Sequence, residues 1–140
     1  MSHTRKYPHV FSPYTLGSRT VRNRIISAPA SLMCVEDIGK YTAQQLTFFE
    51  LKAEGGAAIV THGEAVVDTE TGQTKDRSLL LDNPHSLPYL ADMARRIRRH
   101  GALANIELYH GGQWGGLVSI SGENKPERVA YGASDAVLPE

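Results

Sequence analysis

Three short segments of the sequence combine small residues with polar side chains, and each follows a run of β-prone residues. They are residues 28–31, 62–64 and 107–112, which read APAS, HGE and ELYHGG. In parallel α/β folds the loops after the carboxyl ends of the strands carry the site, so all three segments would open onto one face. Small residues let a ligand reach backbone groups, and polar side chains supply hydrogen bonds. The pattern predicts a site for a flat ligand with polar edges.

The strands that must position these segments are short and mostly apolar. Residues 25–28 form a β-prone run that we expect Pro29 to end. Residues 57–61 follow two glycines and have the pattern of a strand that is covered on both faces. Residues 102–108 complete the set as a predicted third strand.

Two helices are predicted between these strands, over residues 41–53 and 84–99. Thr42 is the expected N-cap of the first helix, and the glycines at positions 55 and 56 are expected to end it. The second helix ends in a run of arginines and a histidine, which the helix dipole favours and which we interpret as a solvated face. The residues expected to face inward are Leu46, Phe49, Leu51 and Ala53 in the first helix and Leu87, Leu90, Ala91, Ala94 and Ile97 in the second.

The order strand–helix–strand–helix–strand with short turns predicts a parallel α/β fold. A small hairpin is expected before it, from residues 11–17 and 20–23. Residues 68–77 are polar and predict a loop, and residues 111–140 are rich in glycine and proline and are expected to be loop-like. Three strands make a small sheet with poorly covered edges. We therefore interpret residues 1–140 as one partial domain, the front part of a larger one.

Composition narrows the class of protein. The 140 residues are 41% hydrophobic and 21% charged, which is ordinary for a globular domain and excludes a disordered chain. The 15 basic and 15 acidic residues cancel, so bulk charge gives no case for a nucleic-acid partner or an anionic membrane. The single cysteine, Cys34, excludes an internal disulfide and a multi-cysteine metal site. The sequence shows no targeting or transmembrane segment, so a cytoplasmic protein is expected.

The same segments resemble the signatures of a known family. NRIISAPAS at residues 23–31 resembles the first-strand signature of the old yellow enzyme family of flavin-dependent ene-reductases. AEGGAAIVT at residues 53–61 and IELYHGG at residues 106–112 resemble its second-strand and third-strand signatures. Residues 11–17 resemble its N-terminal hairpin. The motifs occur in order over nearly the whole chain, and the similarity is to the branch that includes 2,4-dienoyl-CoA reductases and 2-enoate reductases.

This resemblance implies a fold and a cofactor. The family fold is an eight-stranded (β/α)8 TIM barrel, typically of roughly 250 residues, that binds FMN non-covalently. The chain would then be a truncated α/β barrel, made of the N-terminal hairpin and the first three β/α units. In the family, a substrate-anchoring histidine pair, a proton-donor tyrosine and phosphate-binding loops come from later segments, and we find no counterpart of them in this sequence.

The activity that the resemblance implies is reduction of an activated C=C bond by NAD(P)H through bound FMN. The substrate would be a small unsaturated carbonyl compound, an enone or enoate, or a CoA ester. The chain alone is expected to be inactive in this reaction, and a homo-oligomer is left open. Two other classes of function also remain open: a non-catalytic α/β fragment and a small binding or assembly module. A yellow holoprotein with bound FMN would separate the first function from both.

Four small residues would contact the flavin if the resemblance holds. Ala28, Pro29 and Ala30 match the segment whose backbone lines the flavin ring. Gly63 matches a small-residue position where the second strand passes the flavin. A flat ring needs small residues and accessible backbone N–H groups. The alternative interpretation of residues 28–30 is a turn that ends the strand.

Two polar residues are assigned by the same resemblance. Ser31 stands where relatives often carry Thr or Cys beside the reactive edge of the flavin, which it would tune, although an ordinary turn serine is the alternative. Glu107 stands where many relatives use Gln to bind the pyrimidine end of the flavin. An ionised Glu only accepts hydrogen bonds, so it would bind the flavin N3–H but not O2.

Glu107 and His110 also have a metal-ligand spacing, but on a strand end they need not converge, so no metal site is predicted. His62 is interpreted as structural.

Overall fold

The chain begins with a hairpin and then alternates strands with helices. The computed structural model describes residues 6–32, 35–37, 40–75, 77–115 and 130–134. The strands are β1 (Tyr14–Leu16), β2 (Arg19–Val21), β3 (Ile26–Ala30), β4 (Val35–Asp37), β5 (Lys40–Tyr41), β6 (Ile59–Val66), β7 (Leu79–Leu80) and β8 (Leu103–Tyr109). The helices are α1 (Ala43–Glu54), α2 (Thr69–Gly72) and α3 (Leu87–Arg99), with 3-10 turns at Pro84–Ser86 and Gly112–Trp114.

β6 is the central strand of a parallel sheet. β3 pairs with its first half, where Ile26 lies beside Ile59. β8 pairs along its whole length, from Ile59 beside Leu103 to Val66 beside Tyr109. β7 pairs in parallel with the last residues of β6, beyond the end of β3. The carboxyl ends of β3, β6 and β8 therefore meet at one edge, which confirms the predicted parallel α/β fold.

The hairpin was also predicted correctly. β1 and β2 pair antiparallel, with Tyr14 opposite Val21 and Leu16 opposite Arg19. Gly17 occupies the turn between them with a φ of 58°, a left-handed conformation that glycine adopts without steric cost. A second antiparallel pair, β4 with β5, precedes α1.

The two long helices bury one face of the sheet. Phe49 and Ala53 of α1, Met93 and Ile97 of α3 and Val60 of β6 belong to one buried cluster. Each of these side chains is at most 2% exposed. Burying a side chain the size of Phe or Met contributes about 1.5–3 kcal/mol, so this cluster fixes both helices on the sheet. Within the described residues, no helix is both long and apolar enough to span a lipid bilayer.

The predicted inward face of each helix was partly wrong. Leu51 is 58% exposed and Leu87 is 69% exposed, and Ala91 is exposed as well. Leu51 lies two residues from Phe49, a rotation of about 200° around the helix, so it points away from the buried side. In α3 the buried positions are Met93 and Ile97, one helical turn apart. Ala91 lies two residues from Met93 and so points away from this stripe, and Leu87 lies about 100° around the helix from it.

The cationic end of α3 is not simply a solvated face, as the sequence had suggested. Arg96 and His100 are half-buried and contact Glu50 of α1 at 3.2 Å and 3.3 Å. Arg99, whose side chain is largely exposed, also pairs with Glu50. The run therefore connects α3 to α1 through one carboxylate.

β3 runs further than predicted, because a bulge accommodates its proline. The register between β3 and β6 shifts by one residue between Ser27 and Ala30. Pro29 lies within this irregular stretch, where a missing N–H donor interrupts no regular ladder. The strand therefore ends at Ala30 and not at Ala28.

β6 also runs further than predicted. It continues past Thr61 to Val66, with a register shift against β8 between His62 and Ala65. The three residues that were assigned to a loop, residues 62–64, thus lie inside the strand. Since one extra residue of β6 is inserted relative to β8, this segment is a β-bulge.

The loop predicted over residues 68–77 contains a single helical turn, α2, which the sequence analysis missed. Asp68 caps it by accepting a hydrogen bond from the Thr71 N–H at 2.9 Å. In the predicted loop over residues 111–140, a 3-10 turn spans Gly112–Trp114, and residues 130–134 have no regular structure. Residues 116–129 and 135–140 of that segment, and Cys34, lie outside the described residues.

Arg22 ties the end of the hairpin to both helices. Its guanidinium donates to the carbonyl oxygens of His100 at 2.6 Å, Ala53 at 2.8 Å and Ala57 at 2.9 Å. These carbonyls lie at or just beyond the carboxyl ends of α3 and α1, where backbone acceptors lack helical partners. One planar group with five donors therefore serves both helix ends.

Candidate functional site

An open cavity of about 420 Å³ lies at the carboxyl edge of the sheet. Small-molecule sites typically measure about 300–1,000 Å³. The cavity is lined by Pro29, Ala30, Ser31, Gly63, Glu64, Lys75 and Glu107. It therefore brings together five of the six residues that the sequence singled out. The sixth, Ala28, is exposed in β3 and does not line the cavity.

Gly63 of β6 lies close against the backbone of β3. A Cβ atom at this position would lie 2.9 Å from the backbone nitrogen of Ala30 and 3.1 Å from the carbonyl carbon of Pro29. Both neighbours are backbone atoms, so a larger residue would force the two strands apart. Packing within the chain accounts for a glycine here, in addition to the flavin contact implied by the resemblance.

Glu64 has an unusual backbone conformation inside the bulge of β6. Its φ is 53°, and it is the only non-glycine residue with a positive φ in the described part of the chain. This left-handed conformation costs a non-glycine residue about 1–2 kcal/mol. The Glu64 carboxylate accepts hydrogen bonds from Lys75 Nζ with both oxygens, at 2.7 Å and 2.8 Å. A strained residue that is held by an ion pair often marks a functional site.

Glu107 faces Glu64 across the two strands. Its Oε2 accepts a hydrogen bond from the Glu64 backbone N–H at 3.2 Å. The other carboxylate oxygen forms no hydrogen bond with any described residue. Since an ionised carboxylate only accepts, Glu107 presents this oxygen to a ligand that donates an N–H or O–H.

Ser31 follows β3 directly and is half-buried on the cavity wall. Its hydroxyl can both donate and accept, so it can serve either edge of a polar ligand. Ala28 is placed differently, since its carbonyl accepts from the Ser27 hydroxyl at 3.3 Å on an exposed part of the strand.

His62 lies behind the cavity wall, in the core between β6 and α1. Its Nε2 is 2.8 Å from the Tyr41 hydroxyl, and its ring centroid is 4.9 Å from that of Phe49. Burial lowers the pKa of His62 to about 4, and burial also raises the pKa of Tyr41. A neutral imidazole that is hydrogen-bonded to a tyrosine in the core fits the structural role expected for this histidine.

His110 and Glu107 contact different groups, although their spacing is that of a metal-ligand pair. His110 Nε2 is 2.9 Å from the Thr71 hydroxyl, which donates to Asp68 at 2.9 Å. His110 Nδ1 accepts from the Gly112 N–H at 3.0 Å. The histidine therefore fastens the end of β8 to α2 and does not join Glu107 in the cavity.

Sequence reasoning missed Glu64 and Lys75 as cavity residues. Glu64 was noted only as a neighbour of Gly63, and Lys75 lies in the segment that was assigned to a loop. Their opposite charges were visible in the sequence, but a separation of 11 residues in irregular structure does not indicate a pair. The bulge that turns Glu64 toward Lys75 could not be derived from the residue pattern.

The cavity fits the ring of a flavin. Pro29, Ala30 and Gly63 form a wall of small residues with accessible backbone, which a flat heteroaromatic ring requires. Glu107 supplies an acceptor for a ring N–H, and Ser31 supplies a hydroxyl. Among the residues that line the cavity, the cationic side chain is Lys75, and Glu64 already neutralises it, so the lining offers no free cation for a phosphate group.

This architecture defines a class: a hairpin followed by three parallel strands with helices between them, as in the N-terminal part of a (β/α)8 barrel, with the cavity at the carboxyl edge. The structure is similar to that of Old Yellow Enzyme from Pichia sp. AKU4542, with a TM-score of 0.69 and 13% identity over 77% of this chain and 28% of that chain. The model of the NADH:flavin oxidoreductase / NADH oxidase family matches residues 9–137. The chain belongs to this family, that of the old yellow enzymes.

Two characterised relatives show how much of the family the chain covers. It is 32% identical over 129 residues to NADPH dehydrogenase from Listeria welshimeri, which is 91% of this chain and 37% of that protein. It is 26% identical over 126 residues to N,N-dimethylglycine/sarcosine dehydrogenase from Chromohalobacter salexigens, which is 84% of this chain and 18% of that protein. The chain therefore corresponds to the smaller part of each relative.

Proposed function

We propose that this chain is the flavin-ring-binding part of an FMN-dependent NAD(P)H oxidoreductase that reduces an activated C=C bond. The observation that carries the proposal is the cavity at the carboxyl edge of the sheet, where Pro29, Ala30, Ser31, Gly63 and Glu107 meet. Family membership supports the flavin and the nicotinamide reductant. The resemblance of the strand signatures supports an enone, an enoate or an enoyl-CoA ester as substrate.

Five of the cavity residues have a defined task in this proposal. Pro29, Ala30 and Gly63 form the flat wall against which the ring lies. Glu107 accepts the ring N3–H with its free oxygen, and this orients the pyrimidine end. Ser31 donates a hydrogen bond near the other edge of the ring. Bound FMN supplies the transfer of hydride from the nicotinamide to the substrate.

The chain by itself is expected to bind flavin weakly and to turn over no substrate. Three strands leave one side of the ring open to water, whereas catalysis requires that the site exclude it. The cavity lining also offers no unpaired cation to the FMN phosphate. Ring contacts alone must then supply the affinity.

Titration of the purified chain into FMN, followed by flavin fluorescence, tests the proposal. We expect weak, saturable binding, with riboflavin as tight as FMN because the phosphate is not contacted. Glu107→Leu should weaken binding, whereas the matched change Glu54→Leu, at the exposed end of α1, should not. Circular dichroism of both variants checks that they fold.

Three outcomes would contradict the proposal or a part of it. Absence of saturable binding for both flavins would favour a non-catalytic α/β fragment or a binding module. Equal affinities of wild type and Glu107→Leu would remove Glu107 from the flavin site. Rapid NADPH-dependent reduction of 2-cyclohexenone by the chain with added FMN would instead show that the chain suffices for catalysis.

A further inference from the structure

Three charged side chains line the wall of one cavity: Glu64 in the bulge of β6, Lys75 after α2 and Glu107 on β8. Hydrogen bonds connect Lys75 to Glu64 and Glu64 to Glu107. Lys75 Nζ binds both oxygens of the Glu64 carboxylate at 2.7 Å and 2.8 Å. The Glu64 backbone N–H in turn donates to Glu107 Oε2 at 3.2 Å. Two of these residues have no role in the flavin contacts described above.

We propose that Glu64 and Lys75 are positioning residues that hold the Glu107 carboxylate as one oriented acceptor for the imide N–H of a flavin ring. The identity of the ligand rests on the proposed function. The positioning itself is a property of the free chain and can be measured without flavin.

The first argument is the backbone of Glu64. Its N–H reaches Glu107 because φ is 53°, in a region that side chains other than glycine avoid. Glycine would adopt this conformation without strain, yet the chain has a glutamate here. The carboxylate of that glutamate is held by Lys75, so the ion pair opposes relaxation of the strained residue. Removing the pair should let residue 64 relax and turn its N–H away from Glu107.

The second argument is charge. Two carboxylates share the cavity, and a ligand that carries one N–H donor needs only one of them. Lys75 neutralises Glu64, and the Glu64–Lys75 side chains are 31% and 37% exposed, so the pair is partly shielded from solvent. Glu107 then remains as the carboxylate without an ion-pair partner among the described residues. Without Lys75, Glu64 would be a second acceptor that competes for the ligand.

The third argument is orientation. One oxygen of Glu107 is occupied by the Glu64 N–H, which restricts rotation of the carboxylate. The other oxygen is free for the ligand. A carboxylate that is already oriented loses less conformational freedom when it binds, and this favours affinity and selection of an imide N–H.

NMR spectroscopy of the free chain tests the positioning. A hydrogen bond to a carboxylate is stronger than one to a neutral acceptor, so the Glu64 amide proton should resonate downfield. We expect that signal to move upfield in Glu107→Gln, Glu64→Gln and Lys75→Met, and to return in Lys75→Arg. Lys52→Met, on α1 behind the sheet, is the matched control and should leave the signal in place. An unchanged signal in Lys75→Met would overturn the proposal, whatever the flavin titration shows.

A double-mutant cycle on FMN binding tests the consequence. Lys75→Met should weaken binding by about tenfold, the equivalent of part of one charge-assisted hydrogen bond. The same change in the Glu107→Leu background should have little effect, because the residue that it positions is gone. Equal effects in the two backgrounds would mean that Lys75 acts independently of Glu107. Riboflavin methylated at N3 should not distinguish wild type from Lys75→Met, since it has no imide N–H.

The two tests separate the possible failures. Loss of the amide shift in Lys75→Met without any flavin binding would contradict the proposed function and support the positioning. Flavin binding with an amide shift that does not respond to Lys75 would support the proposed function and contradict the positioning.

Discussion

His62 makes the stability of the folded chain depend on pH. Its imidazole has a pKa of about 4, against the ordinary 6.5, because burial disfavours the charged form. Between these two values the unfolded chain binds a proton at His62 and the folded chain does not. Stability should therefore fall as pH is lowered from 6.5 to 4, by about 3 kcal/mol in all.

Urea unfolding of wild type and His62→Gln at pH 7 and pH 4.5 measures this effect. Glutamine can still hydrogen-bond to the Tyr41 hydroxyl, which is 2.8 Å from the imidazole, but does not titrate. The variant should therefore lose much less stability than wild type over this interval. His85→Gln, at an exposed position, should behave like wild type. The same pH dependence in wild type and His62→Gln would show that another group is responsible.

At the level of residues, the sequence predicted the cavity residues that belong to strand-end motifs. It missed the ion pair that forms only because β6 has a bulge. Pro29, Ala30, Ser31, Gly63 and Glu107 come from signatures that recur at strand ends, so their convergence followed from parallel topology. The Glu64–Lys75 pair requires a left-handed residue inside a strand, and no propensity encodes a glutamate there. Ala28 does not line the cavity, because the bulge carries β3 past it to Ala30, and its contact with a flavin stays a prediction.

At the level of elements, α1 and α3 are joined by one carboxylate as well as by the apolar core. The Glu50 side chain is 9% exposed and pairs with Arg96, Arg99 and His100. Burial works to raise the pKa of Glu50, but the hydrogen bond from His100 and the charges of Arg99 and Arg96 outweigh it, so the pKa lies below its usual value. The contribution of Glu50 to stability is therefore present above pH 4.5 and is lost as pH falls below that value.

Glu50→Gln should destabilise the chain by about 1–2 kcal/mol, since it leaves two arginines and a histidine without their shared partner. The partners are partly exposed, so the cost should shrink as NaCl is added. Urea unfolding at low and high salt gives both values. Glu54→Gln, at the exposed end of α1, should change stability by less than about 0.5 kcal/mol. A Glu50→Gln cost that does not depend on salt would point to lost packing instead of lost charge.

The elements themselves were predicted where periodicity is strong. α3 and β8 lie close to their expected bounds, because arginine-rich amphipathic and strand-like patterns are unambiguous there. β7 has only two residues, Leu79 and Leu80, and pairs with β6 only because β6 continues beyond Thr61. So short a strand forms only because a neighbouring strand offers it hydrogen-bond partners, and the residue pattern of the short strand alone cannot predict it.

At the level of the whole molecule, apolar side chains remain on the surface of the sheet and hairpin. Leu108 is 69% exposed, Ile26 is 58% exposed and Leu16 is 51% exposed. An apolar cavity of about 220 Å³ lies between the hairpin and the start of β3, with Leu16 and Ile26 in its lining. Within the described residues, β8 pairs with β6 alone, so its other edge is open. Open edges and apolar patches promote association.

The chain should therefore self-associate as its concentration rises. Sedimentation velocity over a concentration series should show a growing fraction of larger species. Leu108→Lys should reduce that fraction, since a lysine at a strand edge disfavours pairing. Leu51→Lys, on the exposed side of α1, is the matched change and should have less effect. A wild-type chain that stays monomeric throughout would contradict this expectation.

The contacts of Arg22 bear on the order in which the chain assembles. Its three carbonyl partners lie 31, 35 and 78 residues further along the sequence, at the ends of both long helices. The guanidinium can bind all three only after the hairpin, α1 and α3 have docked. An interaction that completes late is absent from the folding transition state, so it acts mainly on the unfolding rate. Loss of the Arg22 side chain would therefore raise the unfolding rate, and so shorten the lifetime of the folded chain, while leaving the folding rate nearly unchanged.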